Sequence, residues 1–210
     1  MRQVQWRWSN ENKQWAGKVM RPLEKADATL SPNGQEYQKM YGFGACFNEL
    51  GWRAISHTSK EEREKLFHEL FSSEDECAKF NVCRLPIGAS DYAFNWYSLD
   101  ETPGDYALTH FSIARDREAL IPYIKEALKI APDIRLFASP WSPPTWMKNP
   151  PVYNWGKLIW TEENLKAYAN YLVKFIIAYQ NDGIAVDQLH VQNEPVANQK
   201  FPSCMWAGEE

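Results

Sequence analysis

Apolar residues recur at helical spacing in three stretches of the chain and at strand spacing in four, and the two kinds alternate. Residues 41–47 (YGFGACF) read as a buried strand whose glycines leave room for a close neighbour. Residues 59–72 (SKEEREKLFHELFS) read as a helix: Ser59 is a good N-cap, Glu62 completes a capping box, and Leu66, Phe67, Leu70 and Phe71 form one apolar stripe. Residues 80–88 (FNVCRLPIG) are a second strand, closed by Pro86 and Gly88, and a long loop then runs to about Arg115. Residues 117–131 predict a second helix with Leu120, Ile124, Ala127 and Leu128 on one face; Pro122 sits near its start, where a missing N–H is tolerated. Residues 134–141 (IRLFASPW) are a third strand, followed by a loop rich in Pro and Trp (SPPTWMKNPPVYNW). Residues 161–183 predict a third helix, capped by Thr161, ended by Gly183 and striped by Leu165, Tyr168, Leu172, Phe175, Ile176 and Tyr179. Residues 187–195 (DQLHVQNEP) are the fourth strand.

Strands that alternate with helices pair in parallel through right-handed crossovers. An open doubly wound sheet and a closed barrel both fit that order. The barrel is favoured on two counts. GFGACF lacks the third glycine and the following helix of a dinucleotide fingerprint. Polar and aromatic residues also gather at each strand's C-terminal end: Asn48–Glu49, Ser90–Asp91, Trp141 and Asn193–Glu194. The C-terminal face is where a (β/α)8 barrel builds its site. The fold class is therefore α/β, the first half (about four βα units) of a (β/α)8 TIM barrel over residues 41–210, with the acidic AGEE as the opening of a further helix. Residues 1–40 form a separate N-terminal segment. Val4, Trp6 and Trp8 there share a face at period two, and residues 31–35 (SPNGQ) make a turn.

Composition narrows the function. Of 210 residues, 44% are hydrophobic and 24% charged, the balance of a globular domain. Ten Trp, ten Tyr and ten Phe supply aromatic platforms of the kind flat ligands such as sugars use. A net charge of −4 offers no basic surface to a phosphate backbone, so nucleic acid is not expected as a partner. Cys46, Cys77, Cys83 and Cys204 show no C-x-x-C spacing, and Cys46 and Cys83 read as buried thiols. His57, His68, His110 and His190 do not pair at metal spacing, so neither metal nor cofactor is expected. No apolar run approaches the roughly 20 residues of a membrane span. The N-terminus has no apolar segment of a signal peptide, which favours a cytoplasmic location over a secreted one.

Candidate chemistry centres on Glu194. Its place before Pro195 biases the backbone to an extended form, which projects the side chain from a strand tip. A carboxyl against apolar walls has its ionised form disfavoured, as a general acid requires. Asn193 beside it can bond a sugar hydroxyl. Glycosidic cleavage also needs a second carboxylate, about 5–5.5 Å away for retention or about 6.5–9.5 Å for inversion.

YGFGACFNELGW, CRLPIGASDY, FASPWSPPTWMK and QNEP end the four strands in order, and DETPGDYALTHFSIARD follows the second. With these motifs, from about Gly42 onward, the chain closely resembles glycoside hydrolase family 30, the glucosylceramidase and β-1,6-glucanase group. The resemblance implies a barrel with a side β-sandwich, to which residues near Val4 to Trp8 would give an outer strand. It implies hydrolysis of β-glycosides with retention, on an oligosaccharide or a glucosyl lipid. Glu194 matches the acid/base, Asn193 the amide on the sugar 2-hydroxyl, Asp91 a hydroxyl-binding carboxylate and Trp141 an aromatic wall. Arg84 matches an arginine near the catalytic carboxylates. Trp146 is a candidate for stacking on a sugar, as are Trp155, Trp96 and Tyr97. The family's nucleophile is a Glu at the seventh strand, beyond residue 210, so these residues alone are expected to be inactive. A non-catalytic carbohydrate-binding fragment is the alternative reading.

Overall fold

The computed structural model describes residues 6–18, 25 and 27–208, which leaves Val4 and the AGEE carboxylates Glu209 and Glu210 outside the described residues. The chain divides into two compact units, Met1–Met40 and Tyr41–Glu210. In the first, strand β1 (Trp6–Asn10) pairs antiparallel with β2 (Lys13–Lys18). The Asn10 side-chain oxygen closes their turn by accepting the N–H groups of Asn12 and Lys13. Residues 31–35 do turn: Gly34 has φ +75° and Asn33 Oδ1 accepts the Gln35 N–H.

The second unit is built on parallel pairing. Helix α1 (Glu49–Ser56) and helix α2 (Lys60–Phe71) precede strand β3 (Val82–Ile87). A 3₁₀ turn (Asp116–Glu118) leads into helix α3 (Leu120–Ile130) and strand β4 (Arg135–Pro140). The loop after β4 holds a second 3₁₀ turn (Thr145–Met147) and a two-residue ribbon, β5 (Lys148–Asn149) with β6 (Lys157–Leu158). Helix α4 (Glu162–Asn181) and strand β7 (Gln188–Leu189) follow. β3, β4 and β7 are parallel neighbours in chain order. Residues 43–47 lie parallel on the other side of β3: Arg84 N–H donates to the Ala45 carbonyl at 3.0 Å, and Phe47 N–H to the Arg84 carbonyl at 2.8 Å. A doubly wound sheet reverses its order at a switch point. Here four parallel segments follow the chain without reversal, as in an arc of a barrel.

Two expected strands are weaker than the sequence pattern implies. Residues 41–47 make a single parallel bridge, Cys46 to Arg84, and the fourth strand has two residues. Each is paired on one side only among the described residues, so the ladder that defines a strand is half built. Backbone bonds nevertheless carry the fourth segment along β4, from Asp187 N–H on the Leu136 carbonyl to Asn193 N–H on the Pro140 carbonyl.

Alternation along β3 and β4 sorts the side chains. Leu85, Ile87, Leu136 and Ala138 are buried among Phe67, Phe71, Leu120, Ile124, Phe175 and Tyr179 of the helices. Leu85, Ile87 and Leu136 each contribute roughly 2 kcal/mol by leaving water. Arg84 and Ser139 occupy the opposite face. At the end of the first segment, Phe47 stacks on Phe71 of α2 and meets Tyr123 of α3 edge-on. The caps are those the sequence predicts: Ser59 and Glu62 form a reciprocal capping box, and Thr161 accepts from the Asn164 N–H. Helix α1 is additional; its N-cap Asn48 takes the Gly51 N–H at 2.7 Å.

Candidate active site

Five of the six expected site residues lie on the strands of the sheet or just past their C-terminal ends, and three of these, Arg84, Trp141 and Asn193, touch. The Arg84 guanidinium, projecting from β3, donates through Nη2 to Asn193 Oδ1 at 2.7 Å and through Nε to Ser139 Oγ at 3.0 Å. Its Cζ rests 4.2 Å from the centre of the Trp141 ring. A planar guanidinium can bond in its plane and stack on its face at once. Arg84 thus ties the second, third and fourth strand ends together. Trp141 is 5% exposed. Its carbonyl accepts from Gln192 Nε2, and Gln192 Oε1 accepts the Trp206 indole N–H.

Asp91 lies on the exposed turn after β3. Burial pushes the thiol of Cys46 up to about 11, with Arg84 pulling it down and Asp91 adding to the rise. Asp91 follows soon after Ile87, the last residue of β3, and so lies beyond that strand's C-terminal end.

Glu194 departs from the expectation on backbone form. Its φ is +46°, left-handed and not extended. A turn begins there, at the tip of the expected strand: the Glu194 carbonyl accepts the Ala197 N–H at 2.9 Å. The Glu194 side chain is exposed, without the apolar wall anticipated for it.

Trp146 is held elsewhere. Its indole N–H donates to the Asp100 carbonyl at 3.0 Å, and its ring meets Tyr106 edge-on with centres 5.3 Å apart. Among the described residues no hydrogen bond or ring pair joins it to the Arg84 cluster. Trp155 and Trp96 are exposed, Trp96 with its edge toward Tyr153, whereas Tyr97 is buried on Asp116. Glu49 is structural: Arg115 grips both its oxygens, at 2.9 and 3.0 Å, and the Phe94 N–H donates to it.

Three residues of the assembly escaped sequence reasoning. Ser139 had a signal, as the polar residue on the inward face of an otherwise apolar strand. Gln192 had none, because two of its three partners, Trp141 and Trp206, are distant in the chain and the third is the backbone carbonyl of Asn193. Lys148 is 1% exposed and donates to Ser142 Oγ and the carbonyls of Val152, Tyr153 and Ser203, which pins the loop after β4.

An arginine fixing an amide beside a strand-end carboxylate, next to an indole wall, suits recognition of a neutral, hydroxyl-rich ligand. Residues 40–206 match the glycosyl hydrolase family 30 TIM-barrel domain. The mouse lysosomal acid glucosylceramidase is 34% identical over 174 residues, 80% of this chain and 33% of the enzyme. An endo-1,6-β-D-glucanase of Neurospora crassa is 29% identical over 171 residues, 79% of this chain and 35% of the enzyme. The crystal structure of SrfJ from Salmonella typhimurium superposes with a TM-score of 0.75 at 32% identity, covering 82% of this chain and 38% of SrfJ. The chain spans about a third of the length of the curated relatives it matches. With the match covering most of its length, the chain belongs to glycosyl hydrolase family 30.

Proposed function

We propose that this chain supplies the acid/base side of a retaining β-glycoside hydrolase, with Glu194 as the proton donor. The carrying observation is the bond from Arg84 to Asn193 with Trp141 beneath, which immobilises the residue next to Glu194. Glu194 protonates the departing glycosyl oxygen and then, as a carboxylate, activates the water that releases the sugar. Asn193 holds the 2-hydroxyl, Asp91 binds further hydroxyls, and Trp141 walls the pocket. The left-handed backbone at Glu194 supports the assignment, since such conformations cost about 1–3 kcal/mol and gather at functional sites. The substrate is a β-linked glucoside, with a lipid or an oligosaccharide as its leaving part, in line with the names of the relatives. The nucleophile lies outside these 210 residues, and Trp6 to Trp8 give an outer strand to a side β-sandwich. On this reading the 210 residues alone do not turn over aryl β-glucosides.

The test is Glu194→Gln in a chain that includes all eight βα units. Hydrolysis of glycosides with poor leaving groups should fall about 10²–10⁴-fold, while activated aryl glycosides lose far less, because only the former need a proton. Equal losses on both would exclude the acid role.

A further inference from the structure

The turn that carries Glu194 is held on both sides by one residue, Trp206. Three consecutive carbonyls of the turn each have a donor. Gln192 Nε2 donates to the Asn193 carbonyl at 2.8 Å, the Ala197 N–H to the Glu194 carbonyl at 2.9 Å, and the Trp206 N–H to the Pro195 carbonyl at 2.7 Å. The Trp206 indole N–H also donates to Gln192 Oε1 at 3.2 Å, so the same residue reaches the peptide before Glu194 through Gln192. The second amide hydrogen of Gln192 goes to the Trp141 carbonyl at 2.8 Å. A flipped amide would set its NH2 against the indole N–H and its oxygen against two carbonyls, so only this orientation is satisfied. The Asn193 carbonyl belongs to the peptide that enters Glu194, where φ is +46°. A left-handed backbone at a residue other than glycine persists only where its surroundings over-determine it. The three carbonyl bonds do so here.

We infer that Trp206 and Gln192 are positioning residues for the proton donor: they hold the Glu194 turn in its left-handed form and in register with Trp141. The inference rests on the reading of Glu194 as acid/base. Trp206 is itself well anchored. Its ring meets Trp160 edge-on with centres 5.8 Å apart and lies against Tyr168 of α4 at 6.3 Å. The Tyr168 hydroxyl donates to the Val191 carbonyl at 3.1 Å, just ahead of Gln192. The Met205 N–H donates to the Gly156 carbonyl at 2.9 Å, which ties the same segment to the loop after β4. The bracket therefore passes the position of α4 and of that loop to the peptides on either side of Glu194. The Glu194 side chain is exposed, so its backbone, and not packing around it, limits where its oxygens stand. A misplacement of about 1 Å at such a group can cost about 10²-fold in rate.

The experiment compares kcat/KM for a series of aryl β-glucosides of rising leaving-group basicity, in a chain that includes all eight βα units. Trp206→Phe keeps an aromatic ring against Trp160 and Tyr168 and removes only the indole donor. Gln192→Met keeps the length of the side chain and removes all three of its bonds. A loosened proton donor is felt in proportion to the leaving group's need for a proton. At the poor-leaving-group end kcat/KM should fall about tenfold in Trp206→Phe and about 10²-fold in Gln192→Met, with less than about a twofold change at the activated end. Because the indole acts through Gln192, the double variant should fall no further than Gln192→Met. A merely structural role lowers the whole series in parallel, through the fraction of enzyme folded. Parallel lines, or a Trp206→Phe line identical to wild type, overturn the proposal; if Gln192→Met does not fold, Trp206→Phe decides alone. Glu194→Gln on the same series separates the two readings. A selective loss there, with parallel lines for Trp206→Phe and Gln192→Met, overturns the bracket and keeps the proton donor. A parallel line for Glu194→Gln removes the proton donor, and the bracket's purpose with it.

Discussion

The Arg84 guanidinium and the Asn193 side-chain oxygen are 2.7 Å apart, although 109 residues separate them in the chain. Between them lie a long loop, helices α3 and α4, strand β4 with the β5–β6 ribbon, and β7. The bond closes the second strand onto the fourth over the top of the third, through Ser139.

That closure is measurable as a coupling. Arg84→Ala and Asn193→Ala each remove one end of a charge-assisted bond, and the double variant removes both. Denaturant midpoints across the cycle should give a coupling of about 1–2 kcal/mol, the value of a hydrogen bond to a charged group discounted for partial exposure. Additive losses would mean that the two side chains do not depend on each other.

Gly44 and Gly104 should respond differently to alanine. A Cβ at Gly44 would stand 1.7 Å from the Val82 carbonyl oxygen, and the obstacle is backbone, which cannot step aside. Gly44→Ala therefore forces the first segment off β3, with a loss of about 3 kcal/mol or more. At Gly104 nothing lies within 4 Å, and the objection is conformational, a φ of +76°. Gly104→Ala should cost about 1 kcal/mol. Thermal melts of the two variants check the order.

Lys148 anchors the loop after β4. Replacing it with Met keeps the stem's bulk but takes this donor from the Ser142 hydroxyl and the Val152 and Ser203 carbonyls, while the Tyr153 carbonyl keeps the Ser203 N–H. A stability loss of about 3 kcal/mol is expected from stranding buried acceptors. Limited proteolysis between residues 148 and 157 should accelerate before the rest of the chain is cut.

What the sequence disclosed follows the range of its signals. Helices α2, α3 and α4 and strands β3 and β4 were legible because capping residues and periodicity are local. Helix α1 was not: Asn48 reads equally well as the end of a strand and as an N-cap, and Gly51 and Arg53 interrupt its stripe. The β5–β6 ribbon hides in a proline-rich loop, since two-residue pairing leaves no period. Trp141 and Asn193 came from strand-end position and family resemblance, Arg84 from the resemblance alone, and the topology brings them together. The conformation of Glu194 did not follow from its neighbour Pro195, because a turn bond to Ala197 outweighs the local preference. Lys148 and Gln192 were invisible for a related reason: their partners are set by tertiary packing, and the residue types alone suggest surface positions.

Asp116 gives the pH dependence its clearest signature. It is wholly buried, and the hydroxyls of Tyr97 and Tyr179 each donate to one of its oxygens at 2.7 Å. Burial nevertheless dominates and pushes its carboxyl up to about 6, against 3.8 when unfolded, with the tyrosines pulling back. The folded state thus keeps its proton while the unfolded state loses it. The contribution to stability is full below pH 3.8, falls as pH rises through about 6, and is flat beyond, a total of about 3 kcal/mol. Carboxylates such as Asp182, held low by Arg117, act in the opposite sense: their contribution is present above the unfolded value and is lost as pH falls. Asp116→Asn removes the first effect and leaves the second. The difference in unfolding free energy between wild type and variant, measured by urea at acidic and neutral pH, should therefore shift in the variant's favour by about 3 kcal/mol between the two. An unchanging difference would mean that Asp116 ionises alike in both states, and that the paired tyrosines, by favouring its anion, fully offset the burial.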